Sequence, residues 1–301
     1  MKTTTQRRSF FAPGRVNLIG EYTDLAGGLA LPAAIDLGVT LTVEPADELS
    51  IVSADGDLSV SVAAVVAELG DVEPCRGTLT SSLPIGAGLS SSAAVHVVLT
   101  LALGGLDGME LAVAAQRAEQ RALGVPSGIL DQAASVLGRD GHAVLLDFDS
   151  LAFEHVALPH GLAIVVVDSG VARRNADTGY AERKRELEEG RPDRLRHIET
   201  ENRRVLEVVE AFRASDLDAL GALFREGHAS LRDDFEVTTP ELDRLVEVAY
   251  ANGAVAARMT GGGFGGAIVA LVDAADADRF AAHMPGRSWV TRASAGAREL
   301  R

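Results

Sequence analysis

Leu83–Val95 reads LPIGAGLSSSAAV, and the rest of the chain is organised around it. Apolar and β-branched residues lead in through Thr78, Leu79 and Thr80. Gly86 and Gly88 follow, then Ser90, Ser91 and Ser92, then a small-residue run, Ala93, Ala94, Val95, Val97, Val98 and Leu99, that predicts a helix. Glycines let a backbone approach a large ligand and take up angles closed to other residues. Serines at a helix start can cap its free N–H groups, and those groups together with the helix dipole attract an anion. A strand, a glycine loop and a serine-capped helix make a phosphate cradle in physical terms. An ordinary glycine-rich turn with serine caps fits this stretch equally well, since a lone motif of this kind has little specificity.

The 301-residue chain is 47% hydrophobic, enough for a large core in one or two domains. Its 28 Lys and Arg against 43 Asp and Glu give a formal charge of −15, which argues against binding nucleic acid or anionic membrane. An anionic ligand must then be held by local donors or a metal ion. Cys75, the single cysteine, leaves no disulfide framework or cysteine zinc site. The N-terminal MKTTTQRRSFFAPGR lacks the apolar core of a signal peptide, and no uncharged apolar run spans a bilayer. A cytoplasmic protein, monomeric or weakly homo-oligomeric, is expected. The 4% aromatic content and the abundance of Ala, Val and Gly suggest mixed α/β or α+β structure.

Ala12–Leu37 crowds Arg15, Asn17, Glu21, Tyr22, Thr23 and Asp24 among apolar residues, with Gly20, Gly27 and Gly28 predicting a turn. Two acids near an arginine suit a hydroxyl-rich ligand, since carboxylates accept paired hydrogen bonds; a solvated loop with ion pairs is the plainer alternative. Alternation at Val39, Leu41, Val43, Leu49, Ile51, Leu58 and Val60 predicts strands, and Val62–Leu69 a short helix. Leu106–Leu123 reads as a helix stopped by Gly124. Glu119 near its end is disfavoured by the dipole, so it has either an ion-pair partner in Arg117 or Arg121, or another role. Pro126-Ser127-Gly128 predicts the start of a short helix capped by Ser127, with Asp131 in its first turn. Asp131 either compensates the dipole or is a partly buried carboxylate with work to do.

Strands are expected at Val144–Phe148, Phe153–Ala157 and Leu162–Val167, and a domain boundary near Ser150–Pro159. Beyond it the pattern turns helical: a charged run after Asp177 carrying Tyr180, an amphipathic Asp193–Phe212, a capping box at Ser215–Asp218, and a helix opened by Thr239-Pro240 and ended at Asn252-Gly253. ARMTGGGFGGAIVAL at Ala257–Leu271 then puts five glycines around Phe264 before a strand.

Three motifs thus stand in order: GRVNLIGEYTDLAGG at Gly14–Gly28, PIGAGLSSSAAV at Pro84–Val95 and TGGGFGG at Thr260–Gly266. Together they resemble the three motifs of the GHMP small-molecule kinases, and the first resembles the galactokinase signature. GILDQ at Gly128–Gln132 and GHASLRDDFEVTTPELDRLV at Gly227–Val246 extend the likeness over nearly the whole chain. The resemblance implies an α+β protein of two domains, an N-terminal α/β domain at 1–155 and a ferredoxin-like C-terminal domain at 156–301, with the active site between them. It implies transfer of the ATP γ-phosphoryl group to the anomeric hydroxyl of galactose.

On that likeness Asp131 matches the catalytic aspartate and Arg15 the arginine beside it that stabilises the transition state. Glu21, Tyr22 and Asp24 occupy sugar-contact positions, with Gly128 and Tyr180 completing the pocket. Gly86, Ala87, Gly88, Leu89, Ser90, Ser91 and Ser92 match the nucleotide loop. Ser92 and Glu119 match the Mg²⁺ ligands, and the third motif frames the substrate side. The chain departs from the family at the sugar turn, where galactokinases read E-H-T-D-Y-N and this sequence has Glu21-Tyr22-Thr23-Asp24-Leu25-Ala26. Its Glu44–Arg76 segment is short, and Ala172, followed by Arg173, stands where a basic residue is expected. A kinase for an N-acetylated or C6-modified hexose is therefore a second expectation, and a non-catalytic sugar and ATP sensor a third. A dinucleotide oxidoreductase fails, because no acidic residue with a strand before it follows the glycine loop at the ribose distance.

Overall fold

The computed structural model describes residues 7–84, 86–124, 127–171 and 176–300. Ile85, Pro126, Ala172 and Arg173 lie outside the described residues. The first half runs β1 (Arg8–Asn17), a 3-10 turn (Thr23–Ala26), β2 (Leu29–Ala30), β3 (Pro32–Pro45), β4 (Ser50–Ser53), α1 (Ser59–Leu69), β5 (Cys75–Ser81), α2 (Ser91–Gly104), α3 (Gly108–Leu123) and α4 (Leu130–Leu137). Then come β6 (His142–Asp147), β7 (Phe153–Ala157), β8 (Leu162–Asp168), α5 (Ala176–Glu188), α6 (Pro192–Ala214), α7 (Leu217–Asp233) and α8 (Pro240–Ala251). The chain closes with β9 (Ala256–Thr260), β10 (Ala267–Asp273), α9 (Ala277–His283), β11 (Ser288–Thr291) and β12 (Arg298–Leu300).

Five strands form the first sheet, in the order β12-β1-β3-β5-β4. β1 is buried from Ala12 onward because α2 and α4 lie across it and across β3. The small side chains of α2 make this possible: Ala93, Ala94, Val97, Val98 and Leu99 are all buried, and a bulkier stripe would hold the helix off the sheet. α3 packs outside α1, α2 and α4. The second sheet is antiparallel, β11-β8-β10-β9, with α7 and α8 against β9 and α9 against β8 and β11. A small sheet, β2-β6-β7, joins the halves, and α6 rests on it. Among the described residues no single helix is long and apolar enough to cross a membrane.

Several sequence expectations need correction. Leu58 and Val60 are not strand residues: Ser59 opens α1, and its Asp57 neighbour accepts from the Ser59 N–H and hydroxyl, each at 2.9 Å. Ser127 does not cap a helix, since α4 begins only at Leu130. The capping residue of α7 is Asp216, which accepts from the Ala219 N–H, while Ser215 closes α6 in the left-handed region. Residue 155 falls within β7, and β12 returns from the far end of the chain to pair with β1, Ser9 opposite Leu300. Thr239 and Pro240 open α8 as expected, with the Thr239 hydroxyl accepting from the Leu242 N–H.

Candidate active site

A cavity of about 300 Å³, at the small end of ligand cavities, is lined by Arg15, Asn17, Glu21, Tyr22, Asp24, Glu119, Ser127, Gly128, Asp131, Tyr180 and Gly261-Gly262 among others. Residues far apart in sequence meet there because three chain turns converge: the end of β1, the start of α4 and the end of β9.

Arg15 sits near the end of β1 and Asp131 in the first turn of α4. Arg15 Nε donates to Asp131 Oδ1 at 2.6 Å and Nη2 lies 2.6 Å from the same oxygen, while Nη1 donates to the Gly88 carbonyl at 2.8 Å. The other carboxylate oxygen, Oδ2, accepts the Ser90 hydroxyl at 2.6 Å. Asp131 is thus tied on both oxygens, yet its side chain remains 34% exposed to the cavity. The expectation that serine hydroxyls cap α2 fails here for a geometric reason. Ser90 adopts φ 60°, in the left-handed region, and its side chain makes no bond to the helix N–H groups. A capping serine needs the extended region; this one is turned to the aspartate instead.

The loop before α2 is anchored by Ala87 and Leu89, both buried, while Gly86 and Gly88 take φ of 81° and 72°. Ser91 and Ser92 are exposed in the first turn of α2, whose leading N–H groups have no partner within the helix. Gly86 also borders a second, more open cavity of about 700 Å³ with Gly170, Val171, Arg244 and Arg287.

On the opposite wall, Tyr22 holds φ 67°, a strained value for a tyrosine. The ring is kept there by Phe235 (centroids 4.5 Å) and Tyr180 (5.4 Å), and its hydroxyl donates to the Gly262 carbonyl at 2.5 Å. Asp24 lies against Gly128, where a Cβ would come within 2.1 Å of Asp24 Oδ2 and force that carboxylate to shift. Burial, with the nearby charge of Asp131, pushes the Asp24 carboxyl up to about 6. The Tyr180 hydroxyl is raised as well, by burial and then by the charges of Asp24 and Asp131.

Glu21 is 3% exposed and both its oxygens are engaged, Oε2 by Arg258 at 2.6 Å and Oε1 by the Gly261 N–H at 3.4 Å. Burial pushes it up to about 7; Arg258 draws it down and Glu201 pushes it up again. Glu201 is equally buried, but Arg258, His197 and Arg204 outweigh that burial and hold it at about 2. Arg258 and Glu201 were not expected from the sequence, where nothing local marks them.

The galactokinase galactose-binding signature matches residues 2–45, the GHMP kinases N terminal domain 57–139 and the GHMP kinases C terminal domain 208–290. Galactokinase from Streptomyces coelicolor is 38% identical, over 89% of this chain and 85% of its own length. The chain belongs to the galactokinase family of GHMP kinases.

Among solved structures, Lactococcus lactis galactokinase complexed with galactose superposes with a TM-score of 0.89 at 29% identity, over 99% of this chain and 96% of that one. L. major mevalonate kinase in complex with R-mevalonate gives 0.76 at 22% identity, over 97% of each chain, and shares the fold. Of the residues the family likeness points to, Arg15, Glu21, Tyr22, Asp24, Glu119, Gly128, Asp131 and Tyr180 all line one cavity. Ser90 joins them through Asp131, and Gly88 through Arg15. Ser92 lies at the first turn of α2 and is not among the cavity residues. Glu119 pairs with neither Arg117 nor Arg121, which reach Glu68 instead; its Oε2 accepts from Gln132 Nε2 at 2.5 Å.

Proposed function

We propose that this chain transfers the γ-phosphoryl group of ATP to the anomeric hydroxyl of galactose, yielding galactose 1-phosphate and ADP. One observation carries the reading: Asp131 is hydrogen-bonded at once to Arg15 and to Ser90 of the glycine loop, so acceptor cavity and phosphate loop meet at a single carboxylate.

In this reading the Gly86–Ser92 loop and the N-terminus of α2 hold the phosphates through backbone N–H groups and the helix dipole. The open cavity beyond Gly86 gives the nucleotide a path to the loop. Asp24, Gly128, Tyr22 and Tyr180 surround the sugar, with Glu21 lining the same cavity while its oxygens are engaged by Arg258 and the Gly261 N–H. An ionised Asp24 accepts from sugar hydroxyls. Asp131 accepts the proton of the anomeric hydroxyl as the oxygen attacks phosphorus, a contribution of about 10²–10⁴ in rate. Arg15, already in place, offsets the charge that develops on the transferring group.

Mg²⁺ suits the donors on hand, a serine hydroxyl and a carboxylate, both hard oxygens. Ser92 and Glu119 would hold it, and the Gln132 bond to one Glu119 oxygen orients that carboxylate. No group of three or more His, Cys, Asp or Glu that could hold a metal occurs among the described residues, in keeping with an ion that takes most of its ligands from phosphates and water. When bound, the ion neutralises charge on the phosphates.

The test is ADP release from Mg·ATP with a panel of sugars that includes galactose, N-acetylgalactosamine and 6-deoxygalactose, with Asp131→Ala as control. Turnover on galactose that collapses in Asp131→Ala is expected. Turnover unchanged in Asp131→Ala overturns the mechanism, and turnover confined to another sugar transfers the reaction to that acceptor.

A further inference from the structure

Arg258 is fully buried in β9 and is not among the residues lining the acceptor cavity. A single nitrogen, Nη2, donates to Glu21 Oε2 and Glu201 Oε1, each at 2.6 Å. Glu201, on α6, also accepts the Gly20 N–H at 3.0 Å and Arg204 Nε at 2.9 Å. The guanidinium lies against Gly227 of α7, where a Cβ would fall 2.4 Å from Nη1. Among the described residues its Nε and Nη1 have no hydrogen-bond partner.

A buried guanidinium with two idle nitrogens is a costly feature, and its fork is not used for bidentate recognition. What it holds is the start of the turn that forms one cavity wall: Gly20 through Glu201, and Glu21 directly. Tyr22, next in sequence, carries left-handed strain, and burial beside Asp131 disfavours the ionised form of Asp24. The strained Tyr22 backbone does not sustain itself. The turn is kept in register by contacts to β9 and the residues after it: Thr260 Oγ1 to the Asn17 N–H and carbonyl, the Gly261 N–H to Glu21, and Tyr22 to Gly262. Arg258 is the one charged anchor in that series.

We infer that Arg258 is a positioning residue for the acceptor: without touching the sugar, it fixes the Gly20–Asp24 turn against β9 and α6 and so sets acceptor affinity. The inference rests on the sugar-kinase reading above and concerns only its acceptor half.

The test compares wild type, Arg258→Met, Arg258→Lys and Glu21→Gln in the full chain, by steady-state kinetics and by the rise in melting temperature that galactose produces. Arg258→Met is expected to raise the galactose KM by about tenfold or more while the ATP KM moves by less than about twofold. It is also expected to abolish the galactose-induced thermal shift. Arg258→Lys donates from one nitrogen, as Nη2 does, and restores most of the galactose affinity. Should Arg258→Met fail to fold, Glu21→Gln leaves Arg258 paired with Glu201 and is expected to give the same split in KM. Equal losses for both substrates, a fall in kcat at unchanged galactose KM, or a lysine variant no better than methionine overturns the inference. The thermal shift is read without turnover. A wild-type protein that binds galactose and does not phosphorylate it therefore defeats the kinase reading, while the inference is judged on the shift alone.

Discussion

Replacing Arg15 by methionine separates the structural share of this residue from its catalytic share. The side chain makes two contacts to Asp131 and one to the Gly88 carbonyl. Asp131 is one-third exposed, so the ion pair is worth about 1 kcal/mol to folding after screening. The lost hydrogen bond to Gly88 adds about 1 kcal/mol. Together they lower stability by about 2 kcal/mol, a fall of several degrees in Tm for a chain of this size. The catalytic loss is greater. A preorganised donor aimed at developing charge is worth about 10²–10³ in kcat, or roughly 3–4 kcal/mol. Arg15→Lys keeps the charge but has no planar fork to reach Asp131 and Gly88 together, and so falls between wild type and Arg15→Met. The assay is coupled ADP release at saturating Mg·ATP and galactose, beside a thermal melt of the same preparations. A folded Arg15→Met protein with kcat within about tenfold of wild type would refute the reasoning and reduce Arg15 to a prop for the glycine loop.

Asp24, pushed up to about 6, gives an acid limb: kcat/KM for galactose falls as pH drops through about 6, and the limb vanishes in Asp24→Asn, whose galactose KM is high throughout. The same shift has the opposite sign for folding. A carboxyl raised above its unfolded value contributes stability at low pH that is lost as pH rises through about 6, so Asp24→Asn melts higher than wild type at pH 8 in a buffered thermal scan. Gly128→Ala sets a methyl 2.1 Å from Asp24 Oδ2 and displaces that carboxylate; steady-state kinetics will show a raised galactose KM with the ATP KM unchanged. Glu119→Gln raises the Mg²⁺ concentration needed for half-maximal rate at fixed ATP, and a Mg²⁺ titration that superposes on wild type would remove Glu119 from the metal site.

The architecture could be read from the sequence because three glycine-rich turns in fixed order constrain both halves of the chain. The grouping of Arg15, Asp131, Asp24 and Gly128 followed from the same motifs. Other features could not, because they depend on distance in space. Glu21 stands in a motif and looks like a ligand for sugar hydroxyls, yet its oxygens go to Arg258, 237 residues on, and to Gly261. Arg258 itself reads as an unremarked arginine in a buried strand. Ser90 stands where a cap should be, and only its left-handed backbone reveals that it serves Asp131. Leu58 and Val60 alternate like a strand, but the Asp57–Ser59 bonds start a helix there. β12 has three exposed residues and no apolar pattern, so its pairing with β1 leaves no trace in the sequence.

The mutual bonds between Asn17 and Thr260 join residues separated by 243 positions. On the ribosome, where synthesis proceeds at about 5–20 residues per second, β1, β3, β4 and β5 of the first sheet and the helices α1–α4 are made many seconds before β9. Through that interval the Gly20–Asp24 turn has neither Arg258 nor Gly262 to hold it. The nascent N-terminal half therefore carries Asp131 and the glycine loop without a finished sugar wall. Competence for the acceptor arrives late in translation, when the third glycine motif clears the exit tunnel and closes onto a turn synthesised near the beginning.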